Sequence, residues 1–328
     1  MRARKKAGRI HFALTSSPSH FADLRSRNTD TGDASVKVSV VITCYNYGKY
    51  IEKCLDSVLP QTFKDYEVIV VNDGSTDDSE DKILKYTGIG NVRYILQKNS
   101  GQARAKNVGI RNSRCDYIAF LDADDLWEPC KLERQIPYFD DPDVGVVYSR
   151  ARFVDEEGKD VVLDLSSPCF ETHSGHVTRQ LFVDNFVPFS SSVVRKRCLD
   201  EFGSFDESLA MGIDWDRWLR ISTKYKFVGL KEPYLIYRVG HTGQMSKNLE
   251  LRHKCTDKIM LDFLDRFPDF VDKKTTNNAF FHTYLSRGYY YRFSNLKKSY
   301  YFLYLALKIR PFSLKVHGAF LKSILKIA

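Results

Sequence analysis

Two apolar runs in the first half of the chain end abruptly in aspartates: Glu67-Val-Ile-Val-Val-Asn-Asp73-Gly-Ser-Thr-Asp77 and Tyr117-Ile-Ala-Phe-Leu-Asp122-Ala-Asp124-Asp125. Runs of β-branched and aromatic residues of this length are typical of strands buried on both faces of a parallel sheet. The carboxylates then stand at the carboxyl ends of the strands. Because ligands of open α/β sheets bind in the crevice at those ends, the two runs predict one site around Asp73, Asp122 and Asp124.

The spacing of the second acidic cluster indicates what this site binds. Asp122 and Asp124 are separated by one small residue, and a further acid follows them. Carboxylates in this arrangement suit a hard divalent cation that bridges to phosphate groups. The sequence therefore predicts a nucleotide that carries a diphosphate.

Strand and helix periodicities alternate around these two runs. Strands are predicted at 36–43, 92–96 and 144–153, and helices at 49–58 and 103–112. Such alternation predicts an α/β fold with a mostly parallel sheet flanked by helices. Beyond residue 160 the pattern weakens, and we expect a polar strand at 189–194, a helix from Ile213 and a last strand at 234–239.

Charge divides the chain into three predicted regions. Residues 1–35 form a flexible basic arm, 36–246 the α/β domain, and 247–328 a basic, aromatic, helical extension. The net charge is +9, the arm contributes +4 and the extension +10, so the domain carries about −5. The aromatic rings of the extension have two interpretations: they pack a helical hairpin onto the domain, or they contact an anionic membrane surface.

Composition narrows the class of protein. Hydrophobic residues make up 43% of the chain and aromatic residues 13%, as in globular proteins. The seven scattered cysteines predict a reducing cytoplasm. Neither a membrane-spanning run nor a cleaved signal is predicted. Because the positive charge lies at the ends, away from the acidic crevice, it favours an anionic membrane over nucleic acid, with a location in the cytoplasm or on the cytoplasmic face of the inner membrane.

Three segments in order carry a resemblance to a known family: Val38-Ser-Val-Val-Ile-Thr-Cys-Tyr-Asn46, Val70-Val-Asn-Asp73-Gly-Ser-Thr-Asp77 and Phe120-Leu-Asp122-Ala-Asp124-Asp125. Together they resemble glycosyltransferase family 2, over roughly residues 36–246. The resemblance implies a GT-A fold and Mn²⁺ or Mg²⁺ as cofactor. It implies transfer of a sugar, with inversion, from a nucleotide-diphosphate donor, commonly a UDP-sugar, to a hydroxyl of a glycan or lipid-linked acceptor.

The resemblance also implies roles for the residues at the strand ends. Thr43 and Tyr45 line the base pocket, and Asp73 accepts a hydrogen bond from the base. Asp122 contacts ribose or metal, and Asp124 is the direct metal ligand. A fixed carboxylate accepting from a ring N–H, and an aromatic ring stacked on a base, are chemically reasonable for these residue types.

The diphosphate contact is left open between two cations. The family usually has an arginine directly before an asparagine, whereas this chain has Lys106 before Asn107 and an arginine at Arg104. Either cation can hold phosphate, although lysine offers a point charge where arginine offers a fork. A plain position on the helix surface is the alternative for both.

The family's general base belongs to a Glu-Asp pair, which reads Ile213-Asp214 here, so the first acid is missing. Asp214 matches the catalytic position and can take the proton of an acceptor hydroxyl. Asp216 is the competitor, but two residues along a helix it faces elsewhere. His241 resembles a histidine that in some relatives joins the metal or diphosphate; a surface-loop role is the alternative.

The sequence leaves two alternatives to sugar transfer open. A sugar nucleotidyltransferase also uses paired aspartates on an α/β sheet, but such enzymes usually carry a Gly-rich basic segment after the first strand, and Thr43-Cys-Tyr-Asn46 contains none. A catalytically inactive scaffold that binds nucleotide or membrane is favoured only by the missing glutamate before Asp214.

Overall fold

The computed structural model describes residues 37–89, 91–162, 171–244 and 248–325. The arm predicted for residues 1–35 lies outside them. The strands are β1 (Val38–Cys44), β2 (Tyr66–Asn72), β3 (Val92–Leu96), β4 (Tyr117–Asp122), β5 (Leu126–Trp127), β6 (Val144–Val154), β7 (Val193–Arg195) and β8 (Lys226–Arg238). The helices are α1 (Gly48–Val58), α2 (Ser79–Leu84), α3 (Gln102–Asn112), α4 (Lys131–Gln135), α5 (Thr178–Val183), α6 (Lys196–Phe202), α7 (Ile213–Ser222), α8 (Leu249–Arg266), α9 (Lys273–Tyr291), α10 (Leu296–Ile309) and α11 (Leu314–Leu325).

The strands form one sheet in the order β3-β2-β1-β4-β7-β6-β8-β5. Its first half is parallel, because β1 pairs in parallel with both β2 and β4. Every residue of β2 is buried, since helices cover both faces. Ile42 packs with α1 on one face, and Gly109 brings α3 close to Val41 on the other. The predicted fold class therefore holds for this half of the chain.

The second half of the sheet is mixed. β7 is antiparallel to both β4 and β6, while β8 runs parallel to β6 and antiparallel to β5. The strand predicted at 189–194 is wrong in its first part, where residues Phe189–Ser191 form a 3-10 turn. The Ser191 hydroxyl donates to the Pro188 carbonyl and the Ser192 hydroxyl to that of Phe189, both at 2.7–2.8 Å, which closes the turn.

The last predicted strand, 234–239, is the second half of the longer strand β8. Pro233 lies inside this strand, where it faces Arg150 across a register shift between β6 and β8. Proline has no backbone N–H to donate to the ladder, so it is tolerated at such an irregularity, where the regular pairing is already interrupted. Because proline and charged residues are uncommon in buried strands, the sequence pattern did not predict the first half of β8.

The C-terminal helices pack in two groups. Ile259 and Phe263 of α8 and Ala279 of α9 share a core with Leu181 and Trp218 of α5 and α7. Helices α10 and α11 pack on α9 around a separate cluster that contains Leu285, Leu303 and Val316. In the part of the chain that the structure describes, no helix has an apolar stretch long enough to cross a bilayer.

Candidate functional site

A cleft of about 1300 Å³ opens at the carboxyl ends of β1, β2 and β4. The parallel register aligns these ends: Thr43 of β1 pairs with Asp122 of β4, and Cys44 pairs with Asn72 directly before Asp73. Most of the residues predicted for the site line this cleft, namely Thr43, Tyr45, Asp73, Lys106, Asp122, Asp124 and Asp214. His241 is fully buried behind Asp124, and Arg104 lies exposed on α3 outside the lining formed by the described residues.

The turn from β1 into α1 is held against the loop that follows β2. Asn46 has a left-handed backbone with φ of 55°, and its Oδ1 accepts from the Thr76 N–H at 2.7 Å. Asp77 Oδ2 accepts from the Gly48 N–H at the start of α1, at 2.9 Å. Asp77 therefore anchors the helix and is not available to a ligand. The turn leaves the Tyr45 ring 45% exposed at the cleft.

Asp73 is almost fully buried and already accepts three hydrogen bonds. Its Oδ1 accepts from Gln97 Nε2 at 2.7 Å and from the Ser100 N–H at 2.8 Å, while Oδ2 accepts from the Gly101 N–H at 2.9 Å. Asp73 thus orders the loop that enters α3. A carboxylate offers about two acceptor positions on each oxygen, so one position remains, on Oδ2.

Lys106 is buried and neutralises Asp122. Its ammonium donates to Asp122 Oδ1 at 2.8 Å and to the Thr43 hydroxyl at 3.2 Å, and it lies 4.6 Å from the centre of the Phe189 ring. With these partners Lys106 holds the acidic strand end together. Of the two cations considered for the diphosphate, Arg104 forms no ion pair within the described residues and is not part of the cleft lining.

Asp124 and His241 form the second charged pair of the cleft. His241 Nε2 lies 2.9 Å from Asp124 Oδ2, and Nδ1 lies 2.9 Å from the Thr242 carbonyl. Both ring nitrogens therefore face oxygen atoms that accept hydrogen bonds, which favours the protonated ring. The hydrogen bond to Asp124 correspondingly raises the pKa of His241.

Asp125 is not a ligand candidate but a buried support. Its Oδ1 accepts from the Arg238 N–H at 3.0 Å, and Arg238 Nε donates to the Asp124 carbonyl at 3.0 Å. Burial, with the negative charges of Asp124 and Asp122, raises the pKa of Asp125 well above its usual value. The pair of Asp125 and Arg238 therefore fixes the main chain that carries Asp124.

Asp214 lines the far side of the cleft, in the first turn of α7. Burial raises its pKa, and a hydrogen bond of 2.8 Å from Asn185 Nδ2 to Asp214 Oδ2 opposes that rise. Asp216 instead pairs with Arg220 one turn along the helix and lies outside the cleft lining. The two acids thus face different surroundings, as their helical spacing predicts.

Sequence reasoning missed two asparagines that position this side of the cleft. Asn185 holds the Asp214 carboxylate, as described above. Asn107 is buried on α3, where its Oδ1 accepts from the Phe205 N–H at 2.8 Å and its Nδ2 donates to Glu207 at 3.0 Å. It ties down the loop that leads to α7. Both contacts join residues 29 to 100 positions apart, so no local pattern signals them.

The C-terminal helices also contribute a wall that the sequence did not predict. Arg252 and Thr256, one turn apart on α8, line the cleft together with Thr283 of α9. The arginine is exposed and forms no ion pair with any described residue. The cleft therefore has an acidic half at the strand ends and a second half built partly from residues after 247.

Comparison with known proteins gives the following similarities. The sequence profile described as Glycosyl transferase family 2 matches residues 39–200. An uncharacterized glycosyltransferase of Methanocaldococcus jannaschii is 30% identical over 208 residues, which are 62% of this chain and 70% of that protein. One of Nostoc sp. is 40% identical over 134 residues, 40% of this chain and 41% of the relative. Chondroitin synthase of Escherichia coli is 32% identical over 234 residues, 70% of this chain but only 33% of that protein.

Two solved structures share the fold. S. aureus TarS in complex with UDP-GlcNAc superposes with a TM-score of 0.57 at 20% identity, covering 88% of each chain. The mannosyltransferase PcManGT from Pyrobaculum calidifontis, in complex with GDP-Man and Mn²⁺, gives 0.59 at 18% identity, over 88% of this chain and 80% of that one. The predicted GT-A type fold with a helical C-terminal extension is confirmed by these similarities.

The buried Lys106–Asp122 pair leads to a stability prediction. Lys106→Met leaves Asp122 without its cation beside two further acids, and because Asp122 is partly exposed we expect a loss of about 1–3 kcal/mol in the free energy of unfolding. Arg104→Met, on the exposed face of the same helix, is the matched control and should change it by less than about 0.5 kcal/mol. Urea denaturation measures both. Equal effects of the two substitutions would contradict the assigned pairing.

Proposed function

The chain belongs to glycosyl transferase family 2, and on that basis we propose that it transfers a sugar, with inversion, from a nucleoside diphosphate donor to a hydroxyl of a glycan or lipid-linked acceptor. The observation that carries the proposal is a common cleft that joins the strand-end aspartates Asp73, Asp122 and Asp124 to the carboxylate of Asp214. Donor binding at the first three residues leaves the sugar facing the fourth. The chain spans about two fifths of its Nostoc relative and a third of chondroitin synthase.

The free acceptor position on Asp73 favours uracil as the base of the donor. Uracil presents one ring N–H, which fits the single position left on Oδ2. The edge of guanine presents two N–H groups and needs a position on each carboxylate oxygen, but Oδ1 is already occupied by Gln97 and Ser100. The exposed ring of Tyr45 supplies a face on which the base stacks.

A divalent cation fits beside Asp124. The carboxylate Oδ2 and His241 Nε2 are 2.9 Å apart, close to the distance of about 3.0 Å between adjacent ligands of an octahedral ion bound at 2.0–2.1 Å. His241 would have to lose its Nε2 proton to ligate. No group of three or more His, Cys, Asp or Glu side chains in the described residues is arranged to hold a metal ion, so Asp124 and His241 would need further ligands from the donor or water. When bound, the cation would stabilise charge on the leaving diphosphate.

Asp214 is proposed as the general base. Its raised pKa makes it a better proton acceptor than an ordinary aspartate. The carboxylate takes the proton of the acceptor hydroxyl as that oxygen bonds to C1 of the sugar and the bond from C1 to the diphosphate breaks. Arg252, Thr256 and Thr283 line the half of the cleft that remains for the acceptor.

Base preference provides the first test. UDP should raise the thermal midpoint more than GDP at the same concentration in the presence of Mn²⁺; a nucleotide at about 100 times its Kd adds about 2.7 kcal/mol of stability. Gln97→Leu frees a position on Asp73 Oδ1 and should narrow the gap between GDP and UDP. Gln180→Leu, exposed on α5 outside the cleft lining, should leave the gap unchanged. A wild-type preference for GDP would refute the uracil assignment.

Catalysis by Asp214 is tested by an isosteric substitution. Asp214→Asn should fold, retain the thermal shift with UDP and Mn²⁺, and lose about 10²–10⁴-fold in the turnover of a UDP-sugar. Asp216→Asn makes the same chemical change two residues along α7 and should keep most of the activity. Slow hydrolysis of a panel of sugar nucleotides supplies the assay without a known acceptor. A wild-type chain that binds nucleotide but hydrolyses none would indicate the scaffold function instead.

The contact between Asn185 and Asp214 predicts a pH effect. The base must be ionised, so kcat/KM falls as the pH drops through the raised pKa of Asp214. Asn185→Leu removes the hydrogen bond that stabilises the carboxylate, raises this pKa further, and should move the acid limb upward by about one pH unit. The pH profile of kcat/KM measures the shift. A uniform loss of rate with an unmoved acid limb would assign Asn185 a purely structural role.

A further inference from the structure

Helix α10 presents a regular outward face of tyrosines and lysines. Tyr301 and Tyr304 are 58% and 53% exposed, so more than half of each large apolar side chain faces outward. Lys297 and Lys308 lie four residues before and after them, also exposed. Steps of four, three and four residues keep all four side chains on one side of a helix. This face is therefore an ordered stripe and not scattered exposure.

The turn into α11 extends the apolar character of this end of the molecule. Phe312 is 94% exposed, and Leu314, the first residue of α11, is 87% exposed. Along α11, Lys315 and Lys322 are exposed and seven residues apart, which places them on one side of the helix, and Leu321 beside them is 61% exposed. We call the exposed side chains of residues 297–322 the α10–α11 surface.

The positive charge of this surface is not neutralised. Lys298 pairs with Glu250 of α8 at 3.0 Å, but Lys297, Lys308, Lys315 and Lys322 form no ion pair with any residue that the structure describes. From residue 280 to the end the sequence holds nine Lys or Arg and no Asp or Glu. Lysines without counter-charges beside exposed rings are the composition of a surface that lies in a lipid headgroup layer.

We propose that the α10–α11 surface binds an anionic lipid membrane, with Phe312 and Leu314 entering the interfacial layer and the lysines contacting the headgroups. A second copy of the chain is a poor occupant, because it would bring unneutralised lysines against lysines. Nucleic acid matches the charge and the exposed rings, but it would not bury the aliphatic side chains of Leu314 and Leu321. A membrane satisfies both the aliphatic side chains and the charge. The inference goes beyond the proposed transfer reaction and does not depend on it.

Flotation of the full chain with lipid vesicles tests the proposal. Vesicles of phosphatidylcholine with 30% phosphatidylglycerol, on the order used to mimic anionic membranes, should bind the chain, whereas pure phosphatidylcholine should bind it much less. Lys315→Gln/Lys322→Gln should lower partitioning by roughly 25-fold, about fivefold per lysine. Lys53→Gln/Lys231→Gln makes the same change in net charge at exposed positions elsewhere and should change partitioning by less than about twofold.

The apolar contribution has its own variants. Phe312→Ser/Leu314→Ser should weaken binding to anionic vesicles at least tenfold by loss of apolar burial, on the order expected for two exposed side chains. Leu96→Ser/Leu261→Ser, at sites 54% and 57% exposed, is the control and should bind like wild type. The proposal would be overturned if neutral and anionic vesicles bound the chain equally, or if each control variant lost as much binding as its test variant. It would also be overturned if the chain formed a dimer in solution that Phe312→Ser/Leu314→Ser dissociates. The flotation assay contains no sugar donor or acceptor. A negative result there would not affect the proposed transfer reaction, and a chain without transfer activity could be tested for vesicle binding in the same way.

Discussion

Crowding of carboxylates at one edge of the sheet is the constraint around which the cleft is built. The parallel register of β1, β2 and β4 brings Asp73, Asp122, Asp124 and Asp125 to neighbouring strand ends. Each acid is compensated in a different way: Asp73 by two backbone N–H groups and an amide, Asp122 by a buried lysine, Asp124 by the His241 ring, and Asp125 by a raised pKa. Without these partners, burial of four negative charges would oppose folding.

Because their partners differ, the acids also differ in how much hydrogen-bonding capacity they keep for a ligand. Lys106 occupies Asp122 Oδ1 and stabilises the strand end, while Oδ2 of the partly exposed carboxylate still faces the cleft. The Asp124–His241 pair is the proposed cation site, where His241 would lose its Nε2 proton to a metal ion. Asp73 retains one acceptor position out of four. The three aspartates proposed to contact the donor are thus residues whose hydrogen-bonding capacity is incompletely used.

The helices after residue 247 have two separate consequences for the molecule. Helices α8 and α9 share a core with α5 and α7 and supply Arg252, Thr256 and Thr283 to the cleft, so the cleft is built from both halves of the chain. Helices α10 and α11 pack only through their inner face, around Leu303 and Val316, and leave tyrosines and lysines outside. Packing, the first interpretation of the aromatic tail, therefore holds for the inner rings, and the proposed membrane contact concerns the outer ones.

The sequence by itself determined the strands β1, β2 and β4, the acids at their ends and the family. Strands buried on both faces appear as continuous apolar runs, and the family motifs are short, so consecutive residues carry both signals. Local pattern failed at 189–194, where serine hydroxyls close a turn, and in the first half of β8, where Pro233 requires a register shift. Only the tertiary structure decided the partners: Lys106 with Asp122, Asp77 with Gly48, Asn185 with Asp214, and α8 with the cleft. These contacts join distant segments, and which donor meets which carboxylate depends on how the helices pack onto the sheet.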